Sequence, residues 1–263
     1  VLARQRQERI LREVDRHGGA RVSELVEILG VSDMTVRRDI EALAERGLVV
    51  KVHGGATAVT DRSADEPGFQ VKSEMNPVEK SAIARAAAAL IKPGASVAIS
   101  AGTTTYAVAH ELRTLPGLTV VTNSPHVAEL LHDPARDDYQ VVLTGGVRTP
   151  SDALVGPVAD AALATLHVDT LILGVHGIDE HAGLTTPNLV EGATNRALMS
   201  AARRVVVVAD HSKWGVIGLC TIATLDEVDV LVTDADLSPE ARRTVSQQVG
   251  QLVVAPQSDH ASA

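Results

Sequence analysis

Seven short, mainly apolar and β-branched runs recur from residue 96 to residue 255, and they limit the folds open to the chain more than any other feature. They occupy 96–100, 118–122, 140–144, 169–174, 204–209, 228–233 and 251–255, and are rich in Val, Leu and Ile. A strand with one wet face alternates apolar and polar residues; a run that does not alternate is buried on both faces. Segments with helical spacing at 104–112, 125–131, 158–166, 190–202 and 239–249 separate most of the runs. The pattern predicts an α/β unit with a mostly parallel sheet covered by helices on both sides. Another helix, 77–91, opens at Pro77 and stops at Lys92-Pro93-Gly94, and no internal repeat is present.

The first 57 residues read differently. Ile10, Leu11 and Val14 give a helix over 5–17 an apolar stripe, and Gly18-Gly19 ends it. Ser23 is the expected N-cap of a short helix ending at Leu29, and Gly30 is its stop. Ser32 caps the next helix, Asp33 favours its positive end, and Val36, Ile40 and Leu43 form its buried stripe. Two short helices joined by about three residues including Gly match helix-turn-helix spacing. At ~100° per residue, Arg37 and Arg38 straddle the side away from the stripe, with Thr35 nearby. Glu41 and Glu45 follow on the outer face. A helix that is basic first and acidic later suits end-on entry into a major groove; a solvated amphipathic helix is the alternative. Residues 48–52 have strand composition and 53–55 form a turn, which suggests a wing. Lys51 and His53 are then candidates for phosphate contact, with a lysine-guarded edge strand as the alternative.

The chain of 263 residues carries a formal net charge of −9, which argues against nucleic-acid binding by the whole molecule. Residues 1–57, however, hold ten Lys and Arg against nine Asp and Glu, while the remainder holds 14 against 24. Any DNA contact therefore belongs to the first segment. With one Phe, one Trp and two Tyr, base stacking on an aromatic platform is nearly excluded. Cys220 is the single cysteine and reads as a small apolar residue. The ten histidines match no zinc spacing, so neither metal nor cofactor is expected. No membrane span or cleavable signal is recognisable, and a cytoplasmic location is expected. The organisation expected is a DNA-binding domain over 1–57, a linker over 58–76 with one docked strand around Phe69, an α/β domain over 77–255 and a tail over 256–263.

Ligands of open α/β sheets gather at the carboxyl ends of the strands, and here those ends are polar or glycine-rich. The first run leads into Gly102-Thr103-Thr104-Thr105 and a helix, offering free N–H groups and hydroxyls for a phosphate; a plain N-cap turn is the alternative. The following ends carry Thr122-Asn123-Ser124, Thr144-Gly145-Gly146, Gly174-Val175-His176-Gly177 and Asp210-His211-Ser212-Lys213. A polyol phosphate fits this set: amides and hydroxyls for the phosphate, Asn123 and carboxylates for sugar hydroxyls, Lys213 for charge.

The stretch SDMTVRRDIEALAERGLVVKVHGGA resembles the N-terminal signature of the DeoR family of bacterial transcriptional regulators. EKSAIARAAAALI, GTTT, VVTNS, LTGG, GLTT and VVVADHSKWG, in that order, resemble the family's effector domain, so the resemblance spans roughly residues 4–255. It implies a winged helix-turn-helix followed by a domain like ribose-5-phosphate isomerase that senses phosphorylated sugars or related metabolites. It implies a repressor of carbohydrate uptake and catabolism genes, with operator DNA and the effector as partners. Residues in the positions of the effector site include Glu191, Asn195, Asp210 and Lys213. The chain departs from the family pattern at Ser100, where Asp is common, and at Asn195, where Lys is common, which leaves the effector's identity open. A homo-oligomer, dimer or tetramer, is expected because one recognition helix contacts few bases. The competing reading is a sugar-phosphate isomerase or deaminase with a helical appendage, in which Asp210 or Glu191 acts as base beside Lys213.

Overall fold

Apolar residues at helical spacing build the first of two units, Val1–Arg62, and apolar strand runs build the second, Ser63–Ala263. The structure, a computed structural model, describes residues 2–17, 19–52, 54–57, 69–133 and 136–256.

The first unit runs through α1 (Ala3–His17), β1 (Gly19–Arg21), α2 (Val22–Leu29), α3 (Asp33–Glu45), β2 (Val50–Val52) and β3 (Gly55–Thr57). The strands form an antiparallel sheet in the order β1-β3-β2, so the wing gains a third strand that the sequence pattern does not announce. Helix α2 begins earlier than Ser23: Arg21 is the N-cap, and its N–H donates to the Glu24 carboxylate at 2.9 Å. Gly30 closes α2 at φ 64°, a left-handed conformation that suits glycine. Ser32 caps α3, its hydroxyl accepting from the Thr35 N–H at 3.3 Å. Val36, Ile40 and Leu43 pack against Ile10, Val14, Leu25 and Val49. The same helix also buries Asp39, whose carboxylate accepts from Arg6 Nε at 2.7 Å and Nη2 at 3.3 Å. This ion pair ties α3 to α1, two elements 33 residues apart.

The second unit holds a seven-stranded sheet: β4 (Ser96–Ile99), β5 (Thr119–Thr122), β6 (Gln140–Leu143), β9 (Thr170–Gly174), β12 (Val205–Val208), β14 (Val230–Thr233) and β15 (Gln251–Val254). These are the seven apolar runs, and every pairing among them is parallel. Alternate residues feed two cores. Val97, Ile99, Val120, Ile172, Val206 and Val230 pack against α5 (Pro77–Ala88), α6 (Thr103–Leu112) and α7 (Pro125–Leu131). Ala98, Val121, Leu171, Leu173, Val205 and Leu231 pack with residues of α8 (Pro157–Leu163), α9 (Leu189–Ala201) and α10 (Pro239–Gln248). The ribbon β7 (Val147–Arg148) with β8 (Leu154–Val155), and a small antiparallel sheet of β10 (Gly177–Asp179), β11 (Gly183–Thr186) and β13 (Cys220–Ala223), lie outside the main sheet. The stretch around Phe69, expected as a strand, is helix α4 (Phe69–Glu74). Phe69 stacks on His126 at 4.2 Å and meets Tyr106 edge-on at 5.8 Å, contacts that a six-residue helix cannot announce through periodicity.

The strand order is β15-β14-β12-β9-β4-β5-β6. The chain starts in the middle at β4, builds outward through β5 and β6, and returns to build the other way from β9. Adjacent strands β4 and β9 therefore send their connections in opposite directions and open a crevice between their carboxyl ends.

Because Asp39 and Arg6 are both largely withdrawn from water, Asp39→Ala removes the buried carboxylate that meets the guanidinium and should destabilise the first unit by roughly 3 kcal/mol. Truncating the exposed Glu41 on the same helix should leave the midpoint unchanged. Urea unfolding followed by hydrogen exchange over residues 3–45 distinguishes the two variants; equal effects would contradict the role given to the buried pair.

Candidate functional site

Two sets of residues carry the chemistry, one in each unit. On α3, Ser32 and Thr35 share a hydrogen bond between their hydroxyls at 2.9 Å. Arg37, expected to be open to a partner, is held by Asp33 one turn earlier, with Nε at 2.5 Å from Oδ1 and Nη2 at 3.3 Å from Oδ2. That hydrogen bond, with the charge behind it, raises the Arg37 pKa above its ordinary value. Lys51 on the wing reaches back to Glu41 at 2.6 Å, and the contact lowers the Glu41 pKa. Among the described residues Arg38 has no ion-pair partner, and it is the exposed cation the helix presents. His53 lies outside the described residues.

In the second unit a cleft of about 760 Å³, measured with its open mouth, sits at the crevice between β4 and β9. Gly102, Thr103 and Thr104 enter it from the end of β4, where they begin α6, and Gly174, Val175 and His176 from the end of β9. Asp210, Ser212 and Lys213 come from the end of β12, and Glu191 and Asn195 from α9. Seven of the residues expected at the effector site thus converge: Gly102, Thr103, Thr104, Glu191, Asn195, Asp210 and Lys213.

Four others do not line the cleft. Thr105 is buried and turns its hydroxyl back to the Gly102 carbonyl at 3.0 Å. Asn123 is buried beneath the site: its Oδ1 accepts from the Ala101 N–H at 2.8 Å and its Nδ2 donates to the Leu154 carbonyl at 3.1 Å. It holds the loop that begins α6 rather than facing a ligand. Gly145 and Gly146 follow β6, at the far edge of the sheet. A Cβ on Gly146 would stand 2.6 Å from the Val155 carbonyl oxygen, so this glycine admits β8 rather than a ligand. The reason is common to Asn123 and the glycines: β5 and β6 lie away from the crevice, and strand order cannot be read from strand composition. Ser100 also sits below the cleft, where its hydroxyl accepts from the Gly174 N–H at 3.0 Å and joins the two strand ends.

Sequence reasoning missed the contribution of α4, α5 and the chain between them. Phe69, Lys72, Met75, Asn76 and Lys80 all line the cleft. Lys80 reads in the sequence as an ordinary helical lysine, yet it is buried and donates to the carbonyls of Lys72 and Met75. Burial lowers its pKa to about 8; the nearby Asp210 opposes the shift, while Lys213 and Lys72 add to it. His176 is lowered to about 4 by burial, with Lys213 and Lys72 adding to the effect, and is neutral at physiological pH. Asp210 accepts from Asn76 at 3.0 Å and from the Ser212 N–H at 3.1 Å. Ser151 donates to Glu191 at 3.0 Å, bringing the turn after β7 to the cleft.

The loop bearing Asp210 and Lys213 is pinned from behind. Buried Asp234 accepts from the His211 N–H at 2.7 Å, and its other oxygen lies 3.0 Å from His211 Nδ1. The hydrogen bond to Asp234 raises the His211 pKa against the opposing effect of burial. Burial alone would raise the Asp234 pKa, but hydrogen bonds from the His211 ring, the His211 N–H and the Asp236 N–H together hold it below the ordinary value.

The sequence pattern of the DeoR-like helix-turn-helix domain matches residues 6–62, and that of the DeoR C terminal sensor domain matches residues 75–235. The chain belongs to the DeoR family. It is 37% identical to the HTH-type transcriptional regulator GlpR of Haloferax volcanii, over 97% of this chain and 98% of that one. It is 35% identical to the glycerol-3-phosphate regulon repressor of Escherichia coli K12, over 88% and 90%. Among solved structures, ribose 5-phosphate isomerase A of Neisseria gonorrhoeae aligns with 56% of each chain, at 20% identity and a TM-score of 0.37. This DeoR-family chain is thus a DNA-binding transcriptional regulator. Among its described residues no helix is long and apolar enough to cross a membrane.

The His211–Asp234 pair yields a prediction with a defined sign. A raised histidine pKa contributes stability below the ordinary value of 6.5, and that contribution is lost as pH rises through the folded-state pKa. The lowered Asp234 pKa adds stability above the ordinary carboxylate value that is lost only as pH falls through its own folded value. Proton NMR should therefore find His211 titrating above 6.5 and His176 near 4. Amide protection at 210–213 should decline as His211 loses its proton; a His211 midpoint at or below 6.5 would contradict the pairing.

Proposed function

We propose that the chain is a repressor of carbohydrate uptake or catabolism genes that leaves its operator when a phosphorylated sugar or polyol fills the cleft. The observation that carries the reading is the grouping of Lys72, Lys80 and Lys213 around one cleft at the start of α6. Free N–H groups at a helix N-terminus favour an anion, and three neighbouring amines supply charge to match it. The Thr103 and Thr104 hydroxyls add donors, while Glu191, Asp210 and Asn195 supply acceptors for sugar hydroxyls. The similarity to the glycerol-3-phosphate regulon repressor supports a small phosphorylated polyol as the effector class. Operator contact falls to residues 32–53, with Ser32, Thr35, Arg37, Arg38, Lys51 and His53 as its candidates. The organisation that goes with this is a DNA-binding domain over 1–57, a connecting segment over 58–76 and a sensor over 77–255. The protein acts in the cytoplasm as a sensor without turnover.

An effector shifts the DNA equilibrium only through different affinities for the DNA-bound and DNA-free protein. Lys213→Ala and Thr104→Val should therefore bind operator as well as the wild type does, yet resist release by added sugar phosphate. Arg38→Ala should keep effector affinity and lose operator affinity by about tenfold or more, the range of one bidentate Arg–guanine pair. Calorimetry with effector and fluorescence anisotropy with DNA measure the two affinities separately. Loss of DNA binding in Lys213→Ala with effector affinity intact would refute this division of labour.

The protein should also bind operator as a homo-oligomer, a dimer or tetramer, because paired half-sites supply the specificity that one helix lacks. Light scattering that returned a monomer mass for a tightly bound operator complex would count against it.

A further inference from the structure

We infer that Met34 is a specificity-determining residue that packs against a thymine C5-methyl group in the operator and reads bases together with Arg38. The inference deepens the operator-binding reading and rests on it.

Met34 is the second residue of α3 and is 62% exposed. At ~100° per residue, Met34, Arg38, Glu41 and Glu45 share one ridge, about opposite Val36, Ile40 and Leu43. Val36, Ile40 and Leu43 are buried, so the Met34 ridge marks the centre of the outward face. The polar groups of the first turn are engaged with each other: Ser32 with Thr35 at 2.9 Å, and Asp33 with Arg37 at 2.5 Å. Farther along the ridge Glu41 is held by Lys51 at 2.6 Å, which tempers its repulsion of phosphate. What the leading half of the ridge presents is the Met34 thioether and the Arg38 guanidinium, one turn apart.

These two side chains match two features of the major groove. Arginine pairs with the O6 and N7 acceptors of guanine, and an apolar side chain packs on the thymine methyl, which no other standard DNA base carries. Met suits the second task because its unbranched thioether adapts to an irregular apolar surface. One helical turn, about 5.4 Å, separates the two side chains, so the pair reads a thymine and a guanine close together within one half-site.

The test uses the full chain and a random duplex library. Wild-type protein should enrich a half-site with a thymine at one position. Replacing that base with uracil removes only the methyl and should weaken wild-type binding about fourfold, the worth of burying one methyl group. Met34→Ala should bind the thymine site about fourfold more weakly and show no further loss with uracil. Met34→Leu, which keeps an apolar side chain at an exposed position, should retain the dependence on the methyl. A uracil penalty of equal size in wild type and Met34→Ala, or none in the wild type at any enriched thymine, would overturn the assignment of Met34. A wild-type protein that enriches no sequence would overturn the operator-binding reading itself.

Discussion

The reversal of strand order between β4 and β9 is the constraint on which the sensor depends. Two neighbouring parallel strands that send their connections opposite ways leave a gap that no connecting segment fills. The start of α6 enters the gap from one side, the segment after β9 from the other, and the Asp210–Lys213 loop from the next strand along. Much of the surrounding hydrogen bonding fixes that opening. Ser100 joins the two strand ends, Asn123 holds Ala101 in place, and Asp234 pins the loop through His211. Ser100, Asn123 and Asp234 make these hydrogen bonds from behind the cleft and do not line it.

Charge follows the same plan. Burying an amine costs free energy unless hydrogen bonds or counter-charges offset it. Lys80 has both, the carbonyls of Lys72 and Met75 and the nearby Asp210, yet its pKa still falls to about 8. Burial is the largest cause of that shift, ahead of the opposing charge of Asp210. Three lysines, Lys72, Lys80 and Lys213, thus line one cleft of a chain whose overall charge is −9.

What was legible in the sequence, and what was not, divides along physical lines. Five of the seven runs were readable because burial on both faces favours apolar residues in a strand, whereas the edge strands β6 and β15 keep apolar residues although they are exposed or half-buried. The order of those strands was not, because it depends on the direction each connection takes. Asn123, Gly145 and Gly146 were expected at the ligand for that reason, although β5 and β6 lie beside the crevice and not at it. Lys80 was invisible because its burial comes from helix packing, while its neighbours Ala82 to Ala87 look like any small-residue helix. The Asp33–Arg37 pair had a readable signal, opposite charges four residues apart, and giving it weight would have separated Arg37 from Arg38. Asp39 carried no such signal, since its partner Arg6 comes from another helix.

The position of α4 bears on how the proposed effector would act on DNA binding. Phe69 and Lys72 on this helix, with Met75 and Asn76 after it, all line the cleft, and α4 is the first described element of the second unit. The described part of the second unit therefore begins with residues that line the cleft. Lys80 holds this segment through two carbonyls, and Asn76 holds it through Asp210. Both contacts use groups that an anionic polyol would also engage, one a cation and the other a carboxylate. On the proposed reading, an effector competing for them would change the free energy of holding α4 in place, and linkage would make any coupling reciprocal: whatever effector binding did to operator affinity, operator binding would do to effector affinity by the same factor. The size of that factor is set by how differently the DNA-bound and DNA-free states hold these residues, and not by the affinity of the effector alone.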